Sequence, residues 1–188
     1  MFIQTESTPN PETVKFLPGK TVMEFGVADY RDLSEASSSP LAQRLFGVDG
    51  VEGVFFGYDF VSVTKREGLP WDHAKPGILG AIMEHYLSGD PVISNPDEVP
   101  VDDGKEEFDE ADANIVAVIK EILDERVRPA VANDGGDIIF RSYRDGVVHL
   151  AMRGACAGCP SSTMTLQMGI QNLLKHFIPE IVEVRPVE

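Results

Sequence analysis

The chain has 188 residues, 43% of them hydrophobic, and a formal net charge of −15. That is enough for one large or two small folded domains, and with no basic block it excludes the Lys/Arg excess that nucleic-acid backbones require. No apolar run approaches the ~20 residues of a membrane helix, and two cysteines three positions apart, Cys156 and Cys159, exclude a disulfide-stapled secreted scaffold.

Met1-Phe2-Ile3-Gln4-Thr5-Glu6 has no basic region followed by an apolar stretch, and it lacks the Arg-rich, acid-poor look of a transit peptide. The expectation is a cytoplasmic protein; a mitochondrial matrix protein trimmed of its presequence reads the same way. The negative charge is uneven. Residues 1–95 are net −6, residues 113–188 net −1, and residues 96–112, with nine acids and one base, net −8. That short segment, with two prolines and a glycine, is expected to be an extended acidic linker between two domains, 1–95 and 113–188.

In chain order, Met1–Glu6 reads as a strand, Thr8-Pro9-Asn10-Pro11 as a turn, Thr13–Leu17 as a second strand and Val22–Phe25 as a third. Ser39-Pro40 reads as a helix start, with Ser39 the N-cap and Leu41, Leu45 and Phe46 facing inward. Val51–Phe56 and Phe60–Lys65 form a hairpin. A helix over Lys75–Ser88 is expected to bury Ile78, Ile82, Met83, Tyr86 and Leu87, and Trp71 to anchor its start.

In the second domain the helix of Ile115, Val118, Ile119, Ile122 and Leu123 is expected to end at Arg128-Pro129. Asp134-Gly135-Gly136-Asp137 is a turn whose aspartates cap or solvate it. Ile138–Tyr143 and Val147–Met152 form a hairpin, with Val148, Leu150 and Met152 on one face. The Cys156–Cys159 loop follows, then a helix burying Leu166, Ile170, Leu173 and Phe177, and a last strand over Ile181–Arg185. The fold class is α+β: two small domains, each a small sheet with packed helices.

Pro160 suits a first helical position, so Cys159 falls at or beside an N-cap, where free N–H groups and the helix dipole favour thiolates. Gly154, Ala155, Ala157 and Gly158 leave room for bulky inorganic cargo, and Ser161 and Ser162 can satisfy other donors. Two thiolates are half of the four ligands that a structural zinc or an iron–sulfur cluster takes. His73, His85, His149 and His176 form no second ligand pair. Either the pair is a redox disulfide, or two chains share one metal centre. Arg153 reads as a strand-end surface charge, and Met152, Met164 and Met168 as core filler. No Ser/His/Asp arrangement, carboxylate pair or phosphate loop appears, so no enzyme is expected.

Arg128-Pro129, Asp134-Gly135-Gly136-Asp137, Gly154-Ala155-Cys156-Ala157-Gly158-Cys159-Pro160-Ser161-Ser162 and Thr165-Leu166 resemble the C-terminal domain of NifU-like iron–sulfur proteins. Met1–Glu6 with Thr8-Pro9-Asn10-Pro11, Ser39-Pro40-Leu41-Ala42, Leu45-Phe46, Val54-Phe55-Phe56-Gly57 and Trp71 with Lys75-Pro76 resemble the N-terminal domain of Nfu-type scaffolds. The extra cysteines of nitrogenase-associated NifU are missing. The resemblance implies a scaffold and carrier, not an enzyme, that holds a 4Fe-4S cluster between two subunits through Cys156 and Cys159. It implies a homodimer on cluster binding, upstream cluster-assembly proteins and apo iron–sulfur clients, with no nucleic acid or membrane. From the motif alone, a C-x-x-C dithiol oxidoreductase and a zinc-bridged structural dimer stay open.

Overall fold

Ser39 starts the first α-helix as its sequence predicts. Its hydroxyl accepts from the Ala42 N–H at 3.1 Å and donates to the Val92 carbonyl at 2.6 Å, with Pro40 in the first turn. In this computed structural model, which describes residues 1–100 and 104–187 without the side chains of 160–162, the chain divides into two units, Met1–Asp102 and Asp103–Glu188. Each is α+β.

The first unit is built on an antiparallel sheet ordered β1-β2-β5-β4-β3: Gln4–Ser7, Thr13–Leu17, Val61–Lys65, Val51–Phe56 and Ala28–Tyr30. Helices α1 (Pro40–Phe46) and α2 (Trp71–Ser88) supply Leu41, Leu45, Ile78 and Ile82 to its core. The third strand is not at Val22–Phe25. Phe25 is exposed, and it is Ala28–Tyr30 that pairs with Val54–Phe56, burying Ala28 and Tyr30. Helix α2 begins four residues earlier than predicted, at Trp71, whose indole N–H donates to the Pro11 carbonyl at 2.9 Å. Met83 and Leu87 are exposed, and Ala74, Ala81 and His85 are buried in their place.

The second unit carries a sheet ordered β6-β7-β8-β9: Glu107–Phe108, Gly136–Arg144, Val147–Gly154 and Glu183–Val187. The β7–β8 hairpin is antiparallel and both outer strands run parallel to their neighbours. Its tight turn places Asp145 and Gly146 at φ 51° and 80°; a Cβ at Gly146 would also lie 2.6 Å from the Glu180 carbonyl oxygen, so both backbone and space call for glycine. Val148 and Leu150 are fully buried, and Met152 nearly so.

The first helix of this unit does not stop at Arg128-Pro129. α3 (Ala113–Ile122) runs through a π-helical turn over Leu123–Val127 into α4 (Arg128–Asn133). The wider turn accommodates a proline that an unbroken α-helix would reject. Val116, Ile119, Ile122, Leu123 and Val127 are buried, whereas Val118 is exposed. α5 (Pro160–Phe177) buries Ile170 and Leu174; Leu166 and Leu173 are partly buried and Phe177 is exposed against Arg126.

The acidic segment is not a plain extended spacer. At its start Pro96–Glu98 is a short 3-10 turn, and Val99 packs on the first unit's core. At its end Glu107–Phe108 pairs with Ser142–Tyr143, Phe108 meets the Phe140 ring, and Glu106 pairs with Lys120. Composition showed the charge but not these anchors. Residues 101–103 of the expected linker lie outside the described residues.

Candidate metal centre

Both cysteines sit where β8 hands over to α5. The strand ends at Gly154 with φ 63°, Ala157 N–H donates to the Gly154 carbonyl at 3.1 Å, Gly158 takes φ 75°, and Cys159 is the N-cap of α5. The loop is tied on two sides. Ala155 N–H donates to the Gly135 carbonyl at 3.2 Å, and the Thr163 hydroxyl donates to the Cys156 carbonyl at 3.1 Å. Thr163 N–H also donates to the Cys159 carbonyl at 2.9 Å, the first turn of α5. The predicted role of Ser161 and Ser162 lies outside the described side chains.

The two thiols differ. Cys156 is 7% exposed and belongs to the unit's core cluster, while Cys159 is partly exposed; neither is in a disulfide. Burial, reinforced by the Asp134 and Asp137 carboxylates, pushes the Cys156 thiol up to about 12. The expected thiolate stabilisation at the helix start therefore does not extend to Cys156, which lies three residues before the N-cap among core side chains.

Asp137 corrects a second expectation. It does not solvate its turn: it is 4% exposed and accepts two hydrogen bonds from Arg128, Nε to Oδ1 at 2.9 Å and Nη2 to Oδ2 at 2.8 Å. Arg128 also reaches Asp124 at 3.1 Å. These bonds, that to Asp137 foremost, hold the guanidinium above its ordinary range. The bidentate geometry locks α4 to the start of β7. Between this lock and the cysteine lies Gly136, with no room for a side chain: a Cβ there would come within 2.9 Å of Cys156 Sγ and 2.4 Å of the Arg153 carbonyl oxygen.

The remaining sequence candidates separate. His149 Nδ1 shares a 2.9 Å hydrogen bond with Ser142 Oγ. His85 is buried in the first unit, and Arg153 is half-buried. Met152 is core, as expected, but Met164 and Met168 are 63% and 59% exposed on α5. Among the described residues no group of three or more His, Cys, Asp or Glu side chains is placed to hold a metal ion. One chain thus brings two sulfur donors and small flanking residues, which suits half of a four-thiolate site. The Asp137–Arg128 lock and the Gly136 close approach join residues nine and twenty apart, and no local pattern announces them.

Comparison with known proteins finds two family models on the chain: one described as "Scaffold protein Nfu/NifU N terminal" over residues 3–89, and one described as "NifU-like domain" over residues 119–185. The chain is 48% identical to the human "NFU1 iron-sulfur cluster scaffold homolog, mitochondrial", across 100% of this chain and 72% of that one. It is 48% identical to "NifU-like protein 4, mitochondrial" of Arabidopsis thaliana, across 96% of this chain and 64% of that one. It thus spans about two thirds of the length of these relatives. A solution structure of a NifU-like protein from Saccharomyces cerevisiae is 30% identical, with a TM-score of 0.41, covering 50% of this chain and 86% of that one.

Proposed function

Since the chain belongs to the family of Nfu/NifU iron–sulfur cluster scaffold proteins, we propose that it holds a 4Fe-4S cluster as cargo, shared between two copies through Cys156 and Cys159, and transfers it to apo-proteins. The observation that carries this reading is the half-site. The chain offers two thiols on one loop, no third donor joins them among the described residues, and a cluster takes four. The second chain supplies the other pair, so cargo binding and homodimer formation are one event. The partners are upstream assembly proteins and apo iron–sulfur clients, and the protein acts by holding and releasing cargo, not by turnover of a substrate.

The layout supports a carrier over a dithiol oxidoreductase. A thioredoxin-like motif follows a strand in a longer βαβ pattern, whereas here the antiparallel β7–β8 hairpin leads into the cysteine loop. The relatives' names place those proteins in mitochondria, which favours a matrix setting over the cytoplasmic one expected from residues 1–6. The 1–95 unit, without cysteine, meets clients or tunes transfer; residues 113–188 hold the cluster.

The test is anaerobic reconstitution of the full chain with iron and sulfide. Two irons per chain, half of a four-iron cluster, a broad visible absorption band and a dimer by light scattering are expected. Cys156→Ser and Cys159→Ser should each lose the iron with the fold intact. Zinc in place of iron after purification without oxygen would select the zinc-bridged dimer instead.

A further inference from the structure

The outer face of α5 carries an unusual surface for so acidic a chain. Residues 154–174 contain no Asp, Glu, Lys, Arg or His, an interval of 21 residues that begins at the cysteine loop and covers the first four turns of α5. The inner face of that helix packs Ile170 and Leu174 into the core. Its outer face presents Met164 and Met168 at 63% and 59% exposure, with Thr165, Gly169 and Asn172 beside them. At Gly169 an added Cβ would meet nothing within 4 Å. Met164 and Met168 lie one turn apart, roughly 6 and 12 Å along the axis from Pro160.

We propose that this neutral Met164–Met168 face of α5 is where the second copy of the chain docks. The inference rests on the shared-cargo reading and says which surface the sharing uses.

Three observations single out a second copy. First, the cysteine pair is half a ligand set, so the second pair of thiols must come to the start of α5, next to Met164. Second, residues 113–188 are nearly balanced at net −1 but carry nine acids and eight bases, and within that unit residues 154–174 have no charged side chain. A charge-free stretch continuous with the cysteines is where like chains can approach without facing like charges. Third, charge depletion with methionine enrichment is the composition of an interface centre. The face also explains why pairing would wait for cargo. Four turns of helix present roughly 20 Å by 10 Å, about 200 Å² per copy, far below the ~800 Å² per partner of a stable complex. The helices contribute alignment and the cargo's bonds contribute the hold, so the empty chain is a monomer and the loaded one a dimer.

The experiment uses the full chain, reconstituted anaerobically with ferrous iron and sulfide and read by light scattering and iron content. In the Met164→Glu/Met168→Glu double variant, the circular dichroism of the empty protein should be unchanged, because both side chains are exposed. The loaded dimer fraction and bound iron should fall at least tenfold at equal protein concentration. Met168→Lys should also lose dimer, which an electrostatic effect on thiolates alone would not produce. An equimolar mixture of Met168→Glu and Met168→Lys chains should recover dimer and iron together. A double variant that dimerises and loads like wild type overturns the proposal while leaving the shared cargo standing. So does one that dimerises and loads but no longer delivers iron to an apo acceptor, since the face would then belong to the client. A wild-type chain that carries full iron as a monomer overturns the shared-cargo reading itself, and this inference with it.

Discussion

Gly136 lies against the sulfur of Cys156. A methyl group on its Cα would sit 2.9 Å from Sγ, 3.2 Å from the Cys156 nitrogen and 2.4 Å from the Arg153 carbonyl oxygen. In strand register Gly136 is also the partner of Gly154, where β8 turns into the cysteine loop. The cysteine loop therefore closes down on the end of β7, and glycine is required there for space.

Gly136→Ala should destabilise the second unit by about 1–3 kcal/mol, the usual cost of overpacking, and displace the cysteine loop. Thermal denaturation reads the first effect. The second appears as faster alkylation of Cys156, pushed out of its pocket. A variant with unchanged melting and unchanged Cys156 reactivity would mean that the close approach is not maintained in solution.

The thiols should react in a fixed order. At pH 8 iodoacetamide should modify the partly exposed Cys159 first and Cys156 at least ~10-fold more slowly, since the reactive species is the thiolate and Cys156 is buried with its thiol raised to about 12. Peptide mass mapping over time reads the order. The same shift has a stability consequence of known sign. The folded-state value lies above the ordinary 9.0, so its contribution is present below about pH 9 and is lost as pH rises towards 12. Cys156→Ala should flatten that alkaline loss; an unchanged alkaline profile would assign it to other groups.

What the sequence disclosed was local. Ser39-Pro40 specifies a helix start within four residues, and Asp145-Gly146 a hairpin turn within two. Gly158 and Pro160 outline the cysteine loop before α5. What it concealed depends on distant partners. The Arg128-Pro129 break is absorbed by a π-helical turn, and Asp137 looks like one more turn aspartate until α4 brings Arg128 to it. Val22–Phe25 had apolar residues enough for a strand, but the edge of β4 is taken by Ala28–Tyr30. Met164 and Met168 show helical spacing, yet spacing alone does not say which side of α5 meets the core.

Arg128→Ala should cost about 2 kcal/mol. That is below the ~3–5 kcal/mol of a fully buried pair, because the Arg128 side chain is 42% exposed and water can reach the vacated site. Asp137→Asn should cost less. Its one amide oxygen keeps one of the two bonds and its NH2 meets a guanidinium donor, but no buried carboxylate is left without its partner, as it is in Arg128→Ala. Urea denaturation of the two variants checks the order. Equal and negligible losses would show that the pair is not what fixes α4 to β7.

His85 makes the first unit acid-sensitive. It is fully buried on α2, neither ring nitrogen has a hydrogen-bond partner, and burial, with Arg44 adding to it, pushes it below its ordinary 6.5; Asp90 opposes this only in part. A depressed value means that the unfolded chain takes up the proton first. Stability from this group is present above pH 6.5 and falls as pH drops below it. His85→Leu should lessen the fall in melting temperature between pH 7.5 and 5.5. A variant that loses as much as wild type would shift the cause to the carboxylates.

The second unit should be able to hold cargo alone, and the structure changes where the fragment ought to begin. Residues 113–188 contain both cysteines and the hairpin, but they omit β6. That strand pairs Glu107–Phe108 with Ser142–Tyr143, puts Phe108 against Phe140 with ring centroids 6.4 Å apart, and leads from Glu106, 2.7 Å from Lys120. The exposed ion pair adds little; the strand pairing and the ring contact add about 1 kcal/mol. For a domain of this size that is roughly 4–8 °C in melting temperature. Fragment 104–188 should therefore melt that much higher than 113–188, with equal iron per chain after reconstitution, since neither fragment lacks a cysteine. Delivery to an apo acceptor should fall in both relative to the full chain, because residues 1–95 are absent. Equal melting of the two fragments would remove β6 from the folded unit. A fragment that folds but holds no iron would refute the assignment of the cargo site to this unit.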